Sequence, residues 1–297
     1  MVLNLSIYPH VVSNKNQLTG YFNYLMTSLK NTLFLALLLV PLSLFGVEIN
    51  GQLSQGCIAS GQVDPGTTVE LMGRDIKVDE SGFFIFGLGR EAPEKITFTS
   101  TNKKNEEKLY TFSVHQREYK EQKIFGVPQN TVKPPSSLSG RIKKESEQVW
   151  IARAKINNSL DFLSGFVLPL KGSITGVYGS RRFYNGYPGN PHYGLDIAAP
   201  TGTPVFAPAP GAVELVHPNM FYSGGTLIIS HGFGVTSTYI HLSEVSVDVG
   251  DKVKRGDLIG KVGATGRATG PHLDWRINWL DVRLDPQLVM KYFPLVP

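Results

Sequence analysis

From Val47 to about His115 the chain alternates apolar and polar residues in short runs, the period-two pattern of half-buried strands. Gly66–Leu71, Arg74–Val78, Phe83–Phe86, Lys95–Ser100 and Lys108–Val114 are the strand candidates. Asp79-Glu80-Ser81-Gly82 and Asn102-Lys103-Lys104-Asn105 read as the hairpin turns between them. With no helical period present, this stretch predicts a small β-sandwich. The character then changes. Val132-Lys133-Pro134-Pro135 cannot continue a ladder and should be extended. After it, Leu138, Ile142, Val149 and Ile156 fall on one helical stripe, which predicts a connecting amphipathic helix from about Ser137 to Asn157. From about Phe162 onward Gly and Pro punctuate further strands: Pro204–Ala207, Ala212–Val216, Thr226–Ser230, Val235–His241, Leu258–Val262 and Leu273–Ile277. The expected organisation is mostly β: an extension over 1–46, a sandwich over 47–115, a helix-bearing linker over 116–161, and an all-β domain with a groove over 162–297.

Within the extension, Leu33 to Phe45 is an apolar run broken only by Pro41 and Ser43. It is shorter than the ~20 residues a transmembrane helix needs and matches the apolar core of a secretory signal. The expectation is export to the periplasm or cell envelope, with translation starting at Met1 or at Met26. Leu44 fits poorly at the third position before a cut at Gly46, so an uncleaved inner-membrane anchor is the alternative. The single cysteine, Cys57, allows no intramolecular disulfide. Ser54-Gln55-Gly56 is a poor lipidation signal, and a small buried residue is expected.

Composition adds little to this picture. A chain of 297 residues, 41% hydrophobic and 18% charged, has enough apolar content for folded cores. The net charge of +5 comes from scattered Lys and Arg, with no basic stripe or aromatic interleaving of the kind a nucleic-acid groove requires.

The candidate chemistry lies in the C-terminal half. His192-Tyr193-Gly194-Leu195-Asp196, Tyr239-Ile240-His241 and His272-Leu273-Asp274 supply three imidazoles and two carboxylates. Such groups bind a Zn²⁺ ion and activate its water. In an extended segment the even spacing of His192 and Asp196 puts both on one face, with Leu195 and Ile197 turned into the core. His272 and Asp274 share a parity on their strand, as do Tyr239 and His241. His217 and His231 read as turn or surface residues; His10 and His115 lie outside the region.

Several linked motifs in this region carry a resemblance to a known family. They are Ile174-Thr175-Gly176-Val177-Tyr178-Gly179-Ser180-Arg181, His192-Tyr193-Gly194-Leu195-Asp196-Ile197, Gly202-Thr203-Pro204-Val205, Tyr239-Ile240-His241-Leu242-Ser243 and Thr269-Gly270-Pro271-His272-Leu273-Asp274. From about Gly172 to Pro286 the chain resembles the LytM/lysostaphin-type zinc endopeptidases that cut peptide cross-links in bacterial peptidoglycan. The resemblance implies that His192 and Asp196 are metal ligands, that His272 is a catalytic base or transition-state stabiliser, and that His241 is its partner. It further implies a Zn²⁺ ion that polarises the scissile carbonyl and acidifies a water, while imidazole moves the proton.

One position departs from the family pattern. The third ligand is normally the second histidine of a His-x-His motif, and Asp274 stands there. Aspartate can ligate Zn²⁺ through oxygen. It also makes a harder ion such as Mn²⁺ more competitive. The other reading of Asp274 is an ion pair with Arg276, which would support a rival function: a non-catalytic domain that binds peptidoglycan or activates a separate amidase. The Gly263–Gly270 loop lacks the Gly-Lys-Ser/Thr ending of a phosphate-binding loop and is expected to form a wall of the groove. No Gly-x-Ser-x-Gly elbow is present, which argues against a nucleophilic hydrolase.

Overall fold

The computed structural model describes residues 46–293, so the expected signal segment lies outside the described residues. The N-terminal strands are β1 (Glu48–Asn50), β2 (Ile58–Gln62), β3 (Thr68–Leu71), β4 (Arg74–Ile76), β5 (Phe83–Gly87), β6 (Lys95–Thr101) and β7 (Glu107–Ser113). They form two sheets, ordered β1-β2-β5 and β4-β3-β6-β7. Phe84 and Phe86 of the first pack on Phe98 of the second, Phe86 and Phe98 edge to face with centroids 4.9 Å apart. This is the sandwich core the alternation predicts. Both expected turns are built by a side chain: Asp79 Oδ1 accepts from the amides of Ser81 and Phe83, and Asn102 Oδ1 from those of Lys104 and Glu106.

The connecting segment holds β8 (Glu121–Ile124), a single turn α1 (Gln129–Val132) and the helix α2 (Ser139–Ala154). The helix ends before Ile156, which is exposed. Its buried residues are Glu145, Ala152 and Arg153, while Ile142 and Val149 are only half-buried. Glu145, Ala152 and Arg153 follow Ile142 and Val149 at helical spacing, so the predicted stripe is the face that seats the helix, with its deepest positions taken by these three residues. Ala152 and Val149 close a small cluster with Leu215, Met220 and Ile228, and the Glu145 carboxylate accepts from Arg141 and from the Phe221 amide.

The C-terminal strands are β9 (Ser173–Gly176), β10 (Arg181–Tyr184), β11 (Tyr187–Pro188), β12 (Leu195–Ala198), β13 (Pro204–Phe206), β14 (Gly211–Met220) and β15 (Gly224–Gly232). They continue with β16 (Val235–Leu242), β17 (Glu244–Val245), β18 (Lys252–Val253), β19 (Leu258–Lys261), β20 (His272–Trp279) and β21 (Val282–Leu284). The main sheet runs β18-β14-β15-β16-β20-β12-β9, with β21 beside β20. Along β20 the parity is strict. Leu273, Trp275, Ile277 and Trp279 enter the hydrophobic core, and His272, Asp274, Arg276 and Asn278 face the other way. A terminal helix, α3 (Pro286–Tyr292), was not legible in the Gly- and Pro-rich pattern. Asp285 caps it by accepting from the Gln287 amide, and Pro286 opens it.

One hydrophobic cluster extends from Val47 and the sandwich phenylalanines to Leu284 and Phe293. Polar contacts accompany this cluster. Asp285 pairs with Arg117 at 2.8 Å, and the Tyr292 hydroxyl donates to the Asn50 carbonyl. Cys57 is 4% exposed, as expected of a small core residue. Among the described residues no helix is long and apolar enough to cross a membrane.

Candidate metal centre

Asp196 lies opposite Asp274 across the β12–β20 ladder, so hydrogen-bond register brings the two carboxylates together. His192 reaches them by another route. It sits in the loop before β12, outside any strand, and is pinned where its amide donates to the Ser180 carbonyl and its carbonyl accepts from Gly179. Loop geometry, not strand parity, therefore joins His192 to Asp196. Leu195 and Ile197 do turn into the core as expected. One ligand-type atom from each of His192, Asp196 and Asp274 lies within 4.8 Å of the others.

Room for these carboxylates depends on two glycines. A Cβ on Gly176 would stand 2.3 Å from Asp196 Oδ2, and one on Gly194 would stand 2.3 Å from Asp274 Oδ1. Any larger residue would displace the acids.

All three clustered residues are at least 94% buried, yet their side chains are unevenly satisfied. Neither ring nitrogen of His192 has a hydrogen-bond partner, nor has Asp196 Oδ1, although His192 Nε2 is 3.2 Å from that oxygen without the alignment a bond requires. The remaining oxygens are held by guanidiniums. Arg182 donates to Asp196 Oδ2 and, through Nε, to Gln122 of β8. Arg276 forks onto Asp274 at 2.9 and 2.6 Å. Burial alone would raise the Asp274 carboxyl; Arg276 and then His192 outweigh it and hold it far below the usual carboxylate range. For Asp196 burial and the Asp274 charge push upward, and His192 and Arg182 prevail to keep it low. Both acids are therefore ionised at neutral pH.

His241 and His272 flank this cluster, their rings 4.8 Å apart. His241 Nδ1 is 2.7 Å from the Thr265 carbonyl and His272 Nδ1 is 2.8 Å from that of Gly270. A carbonyl only accepts, so each Nδ1 carries the proton and each Nε2 keeps its lone pair. His272 Nε2 is 3.9 Å from Asp196 Oδ1. His241 takes φ +67°, the left-handed region that a non-glycine residue seldom occupies. That twist breaks the parity expected with Tyr239, which is buried in the core. Burial pushes the His241 imidazole down to about 4 despite Asp274, so it is neutral at pH 7.

Both histidines line a cavity of about 450 Å³ together with Arg182, Asp196, Arg267 and Thr269. The Gly263–Gly270 loop thus forms one wall, as expected, and its carbonyls also fix two tautomers. The opposite wall is β8, which pairs in parallel with β10. The contributions of Arg182 and Gln122 escaped sequence reading. Arg182 adjoins a quoted motif, but nothing local distinguishes it from Arg181, and Gln122 lies in a segment that reads as linker.

His231 corrects the sequence expectation of a turn or surface residue. It lies within β15 at 0% exposure, its Nδ1 donating to the Pro210 carbonyl at 2.5 Å and its Nε2 facing Ser237 Oγ at 2.7 Å. His217 lies in β14, where its Nδ1 accepts from the Asn219 amide.

These residues fit a divalent cation: mixed imidazole and carboxylate donors converge, and the unpartnered atoms are those a cation would engage. Residues 190–286 match the family described as Peptidase family M23, and they constitute an M23 peptidase domain. Among its relatives, the peptidoglycan DD-endopeptidase ShyA of Vibrio cholerae is 45% identical over 101 residues, 34% of this chain and 23% of that protein. The DD-carboxypeptidase/endopeptidase Mpg of Neisseria gonorrhoeae is 47% identical over 89 residues, 29% of this chain and 20% of the relative. The match thus spans under a quarter of these curated relatives. A solved structure of a putative peptidase M23 from Pseudomonas aeruginosa is similar over 82% of this chain and 97% of its own, at 28% identity and a TM-score of 0.64.

Proposed function

We propose that the protein is an exported, zinc-dependent endopeptidase that hydrolyses peptide cross-links of bacterial peptidoglycan. The observation that carries this reading is a buried trio of ligand-type side chains with His192 and Asp196 Oδ1 unsatisfied, beside two imidazoles presenting bare Nε2 atoms. His192, Asp196 and Asp274 would hold the ion. Zinc bound there supplies Lewis-acid polarisation of a peptide carbonyl and acidification of a water. The Arg276 fork is compatible with ligation by Asp274, because a carboxylate offers about four lone-pair sites and the fork uses two. His272 Nε2 accepts the proton of the attacking water and returns it to the leaving amine. His241, kept neutral by burial, holds the second face of the reacting site and adds no positive charge that would repel a cation. The names of the relatives support the wall substrate, and the apolar run before Gly46 supports export.

The test is metal analysis of purified wild type beside Asp274→Ala, with both assayed on cross-linked wall peptides. About one zinc per wild-type chain with cleavage, and loss of both in the variant, is expected. Wall binding by wild type and His272→Ala alike, with cleavage by neither, would replace this reading by the non-catalytic one.

A further inference from the structure

A second cavity, of about 670 Å³, opens between α2 and the sheet, and Arg153 and Arg283 line it. Arg153 is 6% exposed; its Nη2 donates to Thr238 Oγ1 at 3.0 Å, and its Nε has no partner. Arg283 Nη1 is likewise buried and unpartnered. Two acids also line the cavity, but both are engaged: Glu145 with Arg141 and the Phe221 amide, Asp281 with Arg74, which lines the cavity as well. Among the described residues neither Arg153 nor Arg283 makes an ion pair. A buried guanidinium without an ion-pair partner is costly, and the half-buried Arg283 sets a second like charge near Arg153. Burial, and then repulsion from Arg283 and Arg276, lowers Arg153 far below its ordinary range; burial, and then Arg276, lowers Arg283 to about 10. On the same helix as Arg153, Ile142, Val149 and the exposed Trp150 add apolar lining to the cavity.

We infer that this cavity is a binding site for an amphiphilic oxyanion, its carboxylate or phosphate head against Arg153 and Arg283 and its apolar body against Ile142, Val149 and Trp150. The site shares no lining residue with the cavity beside the metal-type cluster and does not depend on the proposed hydrolysis. A charged head gains two charge-assisted hydrogen bonds that nothing else in the described residues supplies. The apolar wall makes a bare ion the poorer ligand.

The experiment is calorimetric titration of the full chain with N-acetyl-leucine, its amide and inorganic phosphate, in wild type, Arg153→Met and Arg283→Met. N-acetyl-leucine should bind at one site, its amide at least tenfold more weakly, and phosphate more weakly than the acid. Either variant should weaken the acid at least tenfold while zinc binding stays within twofold. Arg153→Met should also raise the Tm of the unliganded protein, because it removes a buried unpaired charge; this readout shows independently that the variant folds. Equal binding of acid and amide, or variants that bind like wild type, would overturn the proposal. Phosphate binding that N-acetyl-leucine cannot displace would also overturn it, assigning the site to a free ion.

Discussion

Two buried histidines differ in how their ring nitrogens are satisfied. His192 is 2% exposed and His231 is 0% exposed, so burial does not distinguish them. Their hydrogen bonds do. His231 ends a closed chain in which the Tyr239 hydroxyl donates to Ser237 Oγ, that hydroxyl to His231 Nε2, and His231 Nδ1–H to the Pro210 carbonyl. Every polar atom of the ring is used, and nothing is left to bind a ligand. His192 has two unused nitrogens beside an unused carboxylate oxygen. A fold tolerates such a set when something outside the protein completes it.

The largest expected effect falls on the open cluster. His272→Ala should lower the rate of cross-link cleavage by about 10³-fold, the range of a lost general acid-base, with an unfolding transition like that of wild type. Product release from cross-linked wall peptides measures the first, and circular dichroism melting the second. If instead His231→Ala abolished cleavage in a folded protein, the contrast between the two histidines would collapse. That substitution should act on stability, costing about 3 kcal/mol because it opens a cavity and strands the Ser237 hydroxyl and the Pro210 carbonyl. Urea unfolding measures the cost, and metal content per folded chain should not change.

Acid offers a comparable test without mutation. Burial lowers the His231 imidazole to about 4, so the unfolded chain takes up the proton first. Stability is therefore complete above the ordinary imidazole pKa of about 6.5 and declines as pH falls toward 4, by roughly 3 kcal/mol for this group. His241, lowered in the same direction, adds to the loss in the same window. Urea midpoints between pH 7 and pH 4 should trace this decline, and a flat profile would contradict it. The smallest effect is expected at Gly194→Ala, whose Cβ would press on Asp274 Oδ1 and Arg276. It should cost about 1–2 kcal/mol as local overpacking and weaken zinc binding, whereas alanine at Gly140, where a Cβ meets nothing, should leave zinc binding unchanged.

The metal-type residues were legible in the sequence because their chemistry recurs inside recognisable motifs, and the structure gathers His192, Asp196 and Asp274 with His241 and His272 beside them. Their means of convergence was not legible. Strand parity accounts for His272 and Asp274, but His192 arrives on a loop and His241 through a left-handed backbone turn. The guanidiniums on the two acids were half visible. Arg276 lies two residues from Asp274 on the same strand face, while Arg182 is 14 residues from Asp196 and meets it only because β9, β10 and β12 fold around one another.

What the sequence determined by itself is local: alternation gave strands, Asp79 and Asn102 gave turns, and even spacing along β20 separated core from site. These depend on side-chain direction within a few residues, which backbone geometry fixes. Only the tertiary structure decided which buried polar groups are satisfied, because a hydrogen bond joins residues the chain order keeps apart. It made a core residue of His231 and a ligand-ready one of His192. It also seated α2 on Glu145, Ala152 and Arg153, and so left buried Arg153 and half-buried Arg283 lining one cavity.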